Sequence, residues 1–138
     1  MQPLFILTSW LPVFVWAGLI FYLSSIPHLS TGWGFWDLIL RKMAHVVEYF
    51  ILAFFLLRAS RKTWPSLSRG LLLVGAGVTA VLYAMSDEVH QAFVPGRGPS
   101  VRDVLIDSSG VVLCLVFCWK TWGRCFEDQF RSVDAHDR

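Results

Sequence analysis

The sequence predicts an all-α membrane protein, a compact bundle of four transmembrane helices with both termini cytoplasmic and a polar pocket toward the outer face. Three observations carry this. Of the 138 residues, 55% are hydrophobic and only 16% charged, whereas a soluble domain carries about 25% charged residues. The apolar residues gather in four runs, each near the roughly 20 residues that a helix needs to cross a bilayer. Lys and Arg are also shared unevenly among the segments between those runs. The length therefore allows one bundle without a linker: residues 1–120 as a membrane domain and 121–138 as a mixed-charge tail, assigned to solvent and partly disordered. The net charge of +2 gives no support to nucleic-acid binding, because the basic residues sit beside apolar segments, where they orient a membrane protein.

Each run has its own reason. Pro3 to Leu23 is almost wholly apolar, with Trp10 and Trp16 as aromatic anchors and Pro12 where the helix can kink. No Lys or Arg precedes it, and it is longer than a signal-peptide core, so it reads as a retained first span. Ser24 to Trp36 breaks the pattern with Pro, Gly and Ser and collects Trp33, Phe35 and Trp36, which suits a loop in the headgroup layer that roofs the pocket. Near Asp37 a second helix opens, with Lys42, His45 and Glu48 in its early turns and Phe50 to Leu57 apolar. Arg58 to Arg69 supplies Arg58, Arg61, Lys62 and Arg69 with no acid and reads as a basic loop. Gly70 to His90 is the third span, where Gly75 and Gly77 allow close helix contact. Val101 to Trp119 is the fourth, and within it Cys114 and Cys118 read as buried small hydrophobes, not as a disulfide framework.

The basic residues then set the orientation. The second loop and the tail hold eight of the 12 Lys and Arg, and the opposite side holds Arg41, Lys42, Arg97 and Arg102. By the positive-inside rule the second loop and both termini are cytoplasmic. Nearly every residue able to do chemistry falls toward the outer face.

Those residues form stripes. Lys42, His45, Glu48 and Tyr49 can face one cavity, at about 100° of helix per residue. Tyr83, Asp87, His90 and Gln91 make a second stripe with Glu88 on its flank, and Asp103, Asp107 and Gly110 make a third. Converging, they would line a pocket with acids, two imidazoles and the bases Lys42, Arg97 and Arg102. On this reading His45 and His90 share one pocket with Asp87 and Glu88. The structural alternative is an ion-pair network in which Lys42, Arg97 and Arg102 neutralise the carboxylates and lock the helices in register; Tyr49 and Tyr83 can equally be interface anchors. His45-x-x-Glu48 and Glu88-x-His90 offer nitrogen and oxygen ligands for a metal, but Lys42 and Arg97 would repel a cation, and no metal is assigned. No cofactor is legible. The turn Pro95 to Ser100 can hold an anion on Arg97 and its backbone amides, or need Pro and Gly for its geometry alone.

Lys42-x-x-His45-x-x-Glu48-Tyr49, then Ser86-Asp87-Glu88-x-His90-Gln91-x-Phe93-x-Pro95-Gly96-Arg97, then Arg102-Asp103-Val104 with Asp107 and Gly110, resemble the VanZ-like family. Ser24-Ser25-x-Pro27 after the first span is similar too, and the likeness covers about residues 10–118. The family pattern commonly has Asn where this chain has Asp107, which adds an acid. The resemblance implies a small multi-pass protein of the bacterial cytoplasmic membrane, whose family namesake lowers susceptibility to the glycopeptide teicoplanin.

Two function classes follow. In the first, the pocket binds an anionic or amide-bearing group of a cell-wall lipid, peptide or glycopeptide through Lys42, Tyr49, Gln91, Arg97, Arg102, Asp103 and Asp107. In the second, the protein is an enzyme acting on a lipid-linked substrate, with His45 or His90 as acid or base, Glu48, Asp87 or Glu88 orienting it and an arginine stabilising developing negative charge. No Ser or Cys nucleophile stands in a recognised motif. Transport is weakly supported, since four spans in one chain enclose little volume. Oligomeric state is not legible.

Overall fold

A computed structural model describes residues 3–27 and 35–122. They form four α-helices: α1 (Pro3–Ser24), α2 (Phe35–Thr63), α3 (Arg69–Gln91) and α4 (Val101–Lys120). Among the described residues there is no strand. His28, Trp33 and Cys125 lie outside the described residues, as do most of the expected headgroup loop and nearly all of the tail.

The segments Ile6–Ser24, Ile39–Thr63 and Arg69–Gln91 are long and apolar enough to cross a membrane. α4 departs from the four-span expectation. Its 20 residues would reach about 30 Å, but Arg102, Asp103, Asp107 and Lys120 all fall within it, more charge than a lipid-exposed span carries.

Burial is inverted relative to a soluble protein. On α3 the exposed residues Leu71, Val74, Val78, Leu82, Met85 and Val89 recur at helical spacing, while Asp87, Glu88 and Gln91 on the same helix are buried. In water such a stripe would be a large exposed apolar patch; in a bilayer it faces solvent of its own kind, and the charged groups turn inward.

The second loop is shorter than the sequence suggests. α2 runs on through Arg58, Arg61 and Lys62 and stops at Thr63. Arg, Ala, Ser and Lys tolerate helix, and Arg61 and Lys62 in the last turn suit the negative end of the helix dipole. Pro65 ends it, since the residue before a proline avoids helical backbone. Ser68 then caps α3 by accepting from Leu71 N–H.

At the other end, Arg97 N–H donates to Val94 C=O at 3.1 Å, and Gly96 between them has φ of 80°. Proline second and a positive-φ glycine third are the chemistry of a type II turn. Glu88 closes this hairpin: its Oε2 accepts from the Ser100 N–H at 2.7 Å, where Ser100 caps α4 without a side-chain hydrogen bond of its own.

α2 is the centre of the bundle, packed on α1, α3 and α4 and most extensively on α4. Trp10 Nε1–H donates to Thr63 Oγ1 and Trp16 Nε1–H to the Glu48 carbonyl, so α1 runs antiparallel to α2. Trp16 is thus a helix tie, because its N–H meets a carbonyl of the neighbouring helix, and the anchor reading does not describe it. Tyr83 Oη–H likewise donates to the Ala17 carbonyl at 2.7 Å. α2 and α4 approach closely at Gly110, where a Cβ would lie 2.2 Å from the Val46 carbonyl oxygen. A Cβ at Gly77 would meet side-chain atoms of Leu115 and Val111, the nearest being the end of Leu115 at 2.8 Å, and Gly75 has open space beside it. Cys114 and Cys118 are fully buried in the core as reduced thiols, their sulfurs 4.0 Å apart.

Candidate functional site

One cleft of about 310 Å³ opens between α1 and α2 at the end of the bundle that carries the α3–α4 turn. Its polar wall comes from Arg41, His45 and Glu48 on α2, Asp87 on α3, Arg97 in the turn and Ser24 at the end of α1; Ile20, Leu23, Leu40 and Ala44 supply the apolar wall. Arg41, His45 and Glu48 stand at i, i+4 and i+7, which keeps them on one line of the helix surface.

The groups behind the cleft hold this wall in place. His45 Nδ1 meets Asp107 Oδ1 at 3.0 Å, and Asp107 is completely buried. With the carboxylate as acceptor, Nδ1 carries a proton, and in the neutral imidazole Nε2 is then the lone pair. Asp87 Oδ2 accepts from Gln91 Nε2–H at 3.0 Å. Arg97 donates from Nε to the Ile26 carbonyl and from Nη2 to the Leu23 carbonyl, both 3.2 Å, so it caps the C-terminal end of α1 while lining the cleft.

Burial, and then the like charge of Arg41, pull the Arg97 guanidinium down from its ordinary value; Asp87, Glu88 and Glu48 offset this in part. An arginine stays protonated all the same. Two guanidiniums, Arg41 and Arg97, therefore face one small cavity together with the carboxylates of Glu48 and Asp87. Asp87 Oδ1, Glu88 Oε1, Asp107 Oδ2 and Tyr49 Oη are buried with no hydrogen-bond partner among the described residues. Buried polar atoms of that kind are usually met by water or ligand.

The remaining sequence candidates lie elsewhere. Lys42 Nζ bonds Asp103 Oδ1 at 2.5 Å, tying α2 to the first turn of α4. Glu88 holds the hairpin, and Arg102 is exposed. Tyr49 is wholly buried in the core beside Tyr83, ring centroids 6.4 Å apart. His90 does not share the cleft with His45: it stacks on Phe21 at 4.2 Å and its Nε2 lies 2.9 Å from Ser25 Oγ. Equal depth along the helices did not imply equal direction, because periodicity makes a stripe coherent without fixing its rotation. Among the described residues no three His, Cys, Asp or Glu side chains converge as a metal-ligand set.

Arg41 and Ser24 line the cleft and were not among the sequence candidates. Arg41 was findable. At about 100° per residue it lies about 40° from His45, whereas Lys42, three residues before His45, lies about 60° to the other side.

A family model described as VanZ/LLP1 matches residues 5–123 of the chain. No curated protein and no solved structure matches it.

Proposed function

The chain belongs to the VanZ/LLP1 family, and on that premise we propose that its charged cleft binds an amphiphilic cell-envelope molecule, such as a lipid-linked cell-wall component, by an anionic or amide-bearing group. The observation that supports this is the meeting of Arg41 and Arg97 with Ile20, Leu23 and Leu40 in one cavity. Guanidiniums recognise phosphate or carboxylate through paired N–H groups, and the aliphatic wall suits the chain that such a group is attached to. Lowered susceptibility to teicoplanin would follow from withholding or altering the envelope component that glycopeptides reach.

This reading includes the topology inferred from charge: α4 as the fourth span, both termini cytoplasmic and the cleft toward the outer face of the bacterial cytoplasmic membrane. With the native cysteines replaced, Ser66→Cys should be protected from a membrane-impermeant thiol reagent in intact cells, and Gly98→Cys should be labelled. Both sites are exposed. The reverse pattern would put the cleft in the cytoplasm.

The test of function is teicoplanin susceptibility in a host carrying the protein. The wild type should raise the tolerated concentration, and Arg41→Gln and Glu48→Gln should abolish the rise at matched amounts of folded protein. No rise with the wild type would remove the glycopeptide link, and a full rise with both variants would remove the cleft.

The His45–Asp107 pair favours one second reading. A histidine that lines a cleft and whose Nδ1–H is held by a buried carboxylate is equipped as a general base in its neutral form, and Glu48 in the same cleft is equipped to trade the proton. As an enzyme, the protein would act on the same lipid-linked class of molecule.

A further inference from the structure

The opposite end of the bundle holds a second arrangement of charge and apolar surface. A cavity of about 230 Å³ there is lined by Arg61, Arg69 and Trp122 together with Leu67 and Leu72. The guanidinium of Arg69 lies over the Trp119 ring at 3.8 Å and over the Trp122 ring at 5.1 Å, and that of Arg61 over Trp122 at 4.8 Å. Cation–π contacts occupy the faces of a guanidinium and leave its N–H edges open to in-plane partners. For Arg69 this is observed, since Nε and Nη2 are buried with no hydrogen-bond partner among the described residues. The chain from Arg58 to Arg69 contains four bases and no acid, so it offers these N–H groups no carboxylate.

Leu67 and Leu72 also line an adjoining groove of about 190 Å³, which continues past Leu71 to Gly75 and Thr79 on α3, with Trp10 and Trp64 also in its lining. Gly75 has nothing within 4 Å of where a Cβ would stand, so the missing side chain is what leaves the groove open. A cationic cavity thus leads directly into an apolar channel along a lipid-facing helix.

We propose that this end of the protein is a binding site for one anionic phospholipid of the surrounding bilayer, its phosphate between Arg61 and Arg69 and one acyl chain along the groove at Gly75. The buried N–H edges of Arg69 match the paired oxygens of a phosphate. Basic pockets between membrane helices select anionic headgroups in this way. The Trp rings fit the same depth, where an aromatic face meets headgroups on one side and hydrocarbon on the other. On the orientation proposed above this is the cytoplasmic leaflet, so the site is separate from the outer cleft in both position and ligand.

The test is lipid retention by the full-length protein, extracted gently and followed by native mass spectrometry, with phosphatidylglycerol, phosphatidylcholine and inorganic phosphate as separate probes. Phosphatidylglycerol should bind about tenfold more tightly than phosphatidylcholine, which offers the same phosphate but brings a choline cation close to the two guanidiniums. Arg69→Gln should remove this preference and Arg69→Lys should restore part of it. Gly75→Leu, which fills the groove without touching a charge, should weaken phosphatidylglycerol by a similar factor and leave inorganic phosphate unaffected. Equal retention of the two lipids, or phosphatidylglycerol binding indifferent to both Arg69→Gln and Gly75→Leu, would overturn the proposal. Phosphate binding as tightly as the lipid, with Gly75→Leu silent, would show a free-anion site and overturn it as well.

Discussion

Gly110→Ala is expected to lose most of the folded protein. The added Cβ would lie 2.2 Å from the Val46 carbonyl oxygen, where ordinary contact begins at 3.4 Å. The obstacle is helix backbone and cannot rotate away, so α4 would have to retreat from α2 by about 1.2 Å, the difference between those two distances. That retreat runs through the contact that holds His45 to Asp107 and Lys42 to Asp103. Overpacking alone costs about 1–3 kcal/mol, and a buried pair pulled apart adds to it. A loss of about 3 kcal/mol or more is the expected total, read as unfolding of the extracted protein at lower denaturant. Gly75→Ala is the matched control. It has open space and a helix that prefers alanine by about 1 kcal/mol, so it should be neutral or stabilising. Equal effects at the two glycines would mean that α2 and α4 do not meet closely.

The second large effect is at Asp107. Asp107→Leu removes the acceptor that holds His45 Nδ1–H and leaves the imidazole facing an apolar side chain. Breaking one partner out of a buried pair costs about 3–5 kcal/mol, and the fraction of folded protein after extraction should fall accordingly. Asp107→Asn should cost only about 1 kcal/mol, because the amide oxygen still accepts from Nδ1–H. The asparagine variant also separates the two readings of function. A binder keeps its ligand, since the His45 ring stays in place. An enzyme loses turnover while remaining folded, since a neutral amide does not stabilise the imidazolium that forms when Nε2 takes a proton.

Much of the architecture was legible because a bilayer imposes it. Apolar runs near spanning length gave α1, α2, α3 and α4 to within a few residues, except where Arg58 to Lys62 was read as loop. There the run of like charge suggests a loop, but Arg, Ala, Ser and Lys all tolerate helix, and the stop comes from Pro65. The candidate site was legible in part. His45, Glu48, Asp87 and Arg97 were named from the sequence and line one cleft, while Lys42, Glu88 and His90 were named with them and are engaged by Asp103, Ser100 and Ser25. Sequence periodicity specifies which residues share a face of their own helix. It carries no information on which neighbour that face meets, and here the deciding contact is Gly110 on Val46. A glycine that admits a backbone looks the same in sequence as Gly75, which admits nothing but space. Similarly, Arg97 read as an anion fork, yet two of its N–H groups cap α1, a role set by where the Pro95-Gly96 turn aims it.

The central claim is that the cleft of Arg41, His45, Glu48, Asp87 and Arg97 is a ligand site, and native mass spectrometry of gently extracted protein addresses it most directly. Besides any phospholipid held at Arg69, the wild type should carry one bound amphiphile that resists exchange with bulk lipid, and Arg41→Gln should lose it while melting at the same temperature as the wild type. A wild type carrying only exchangeable bulk lipid, or an Arg41→Gln protein that keeps the same bound mass, would contradict the claim and leave these charges as a helix-locking network.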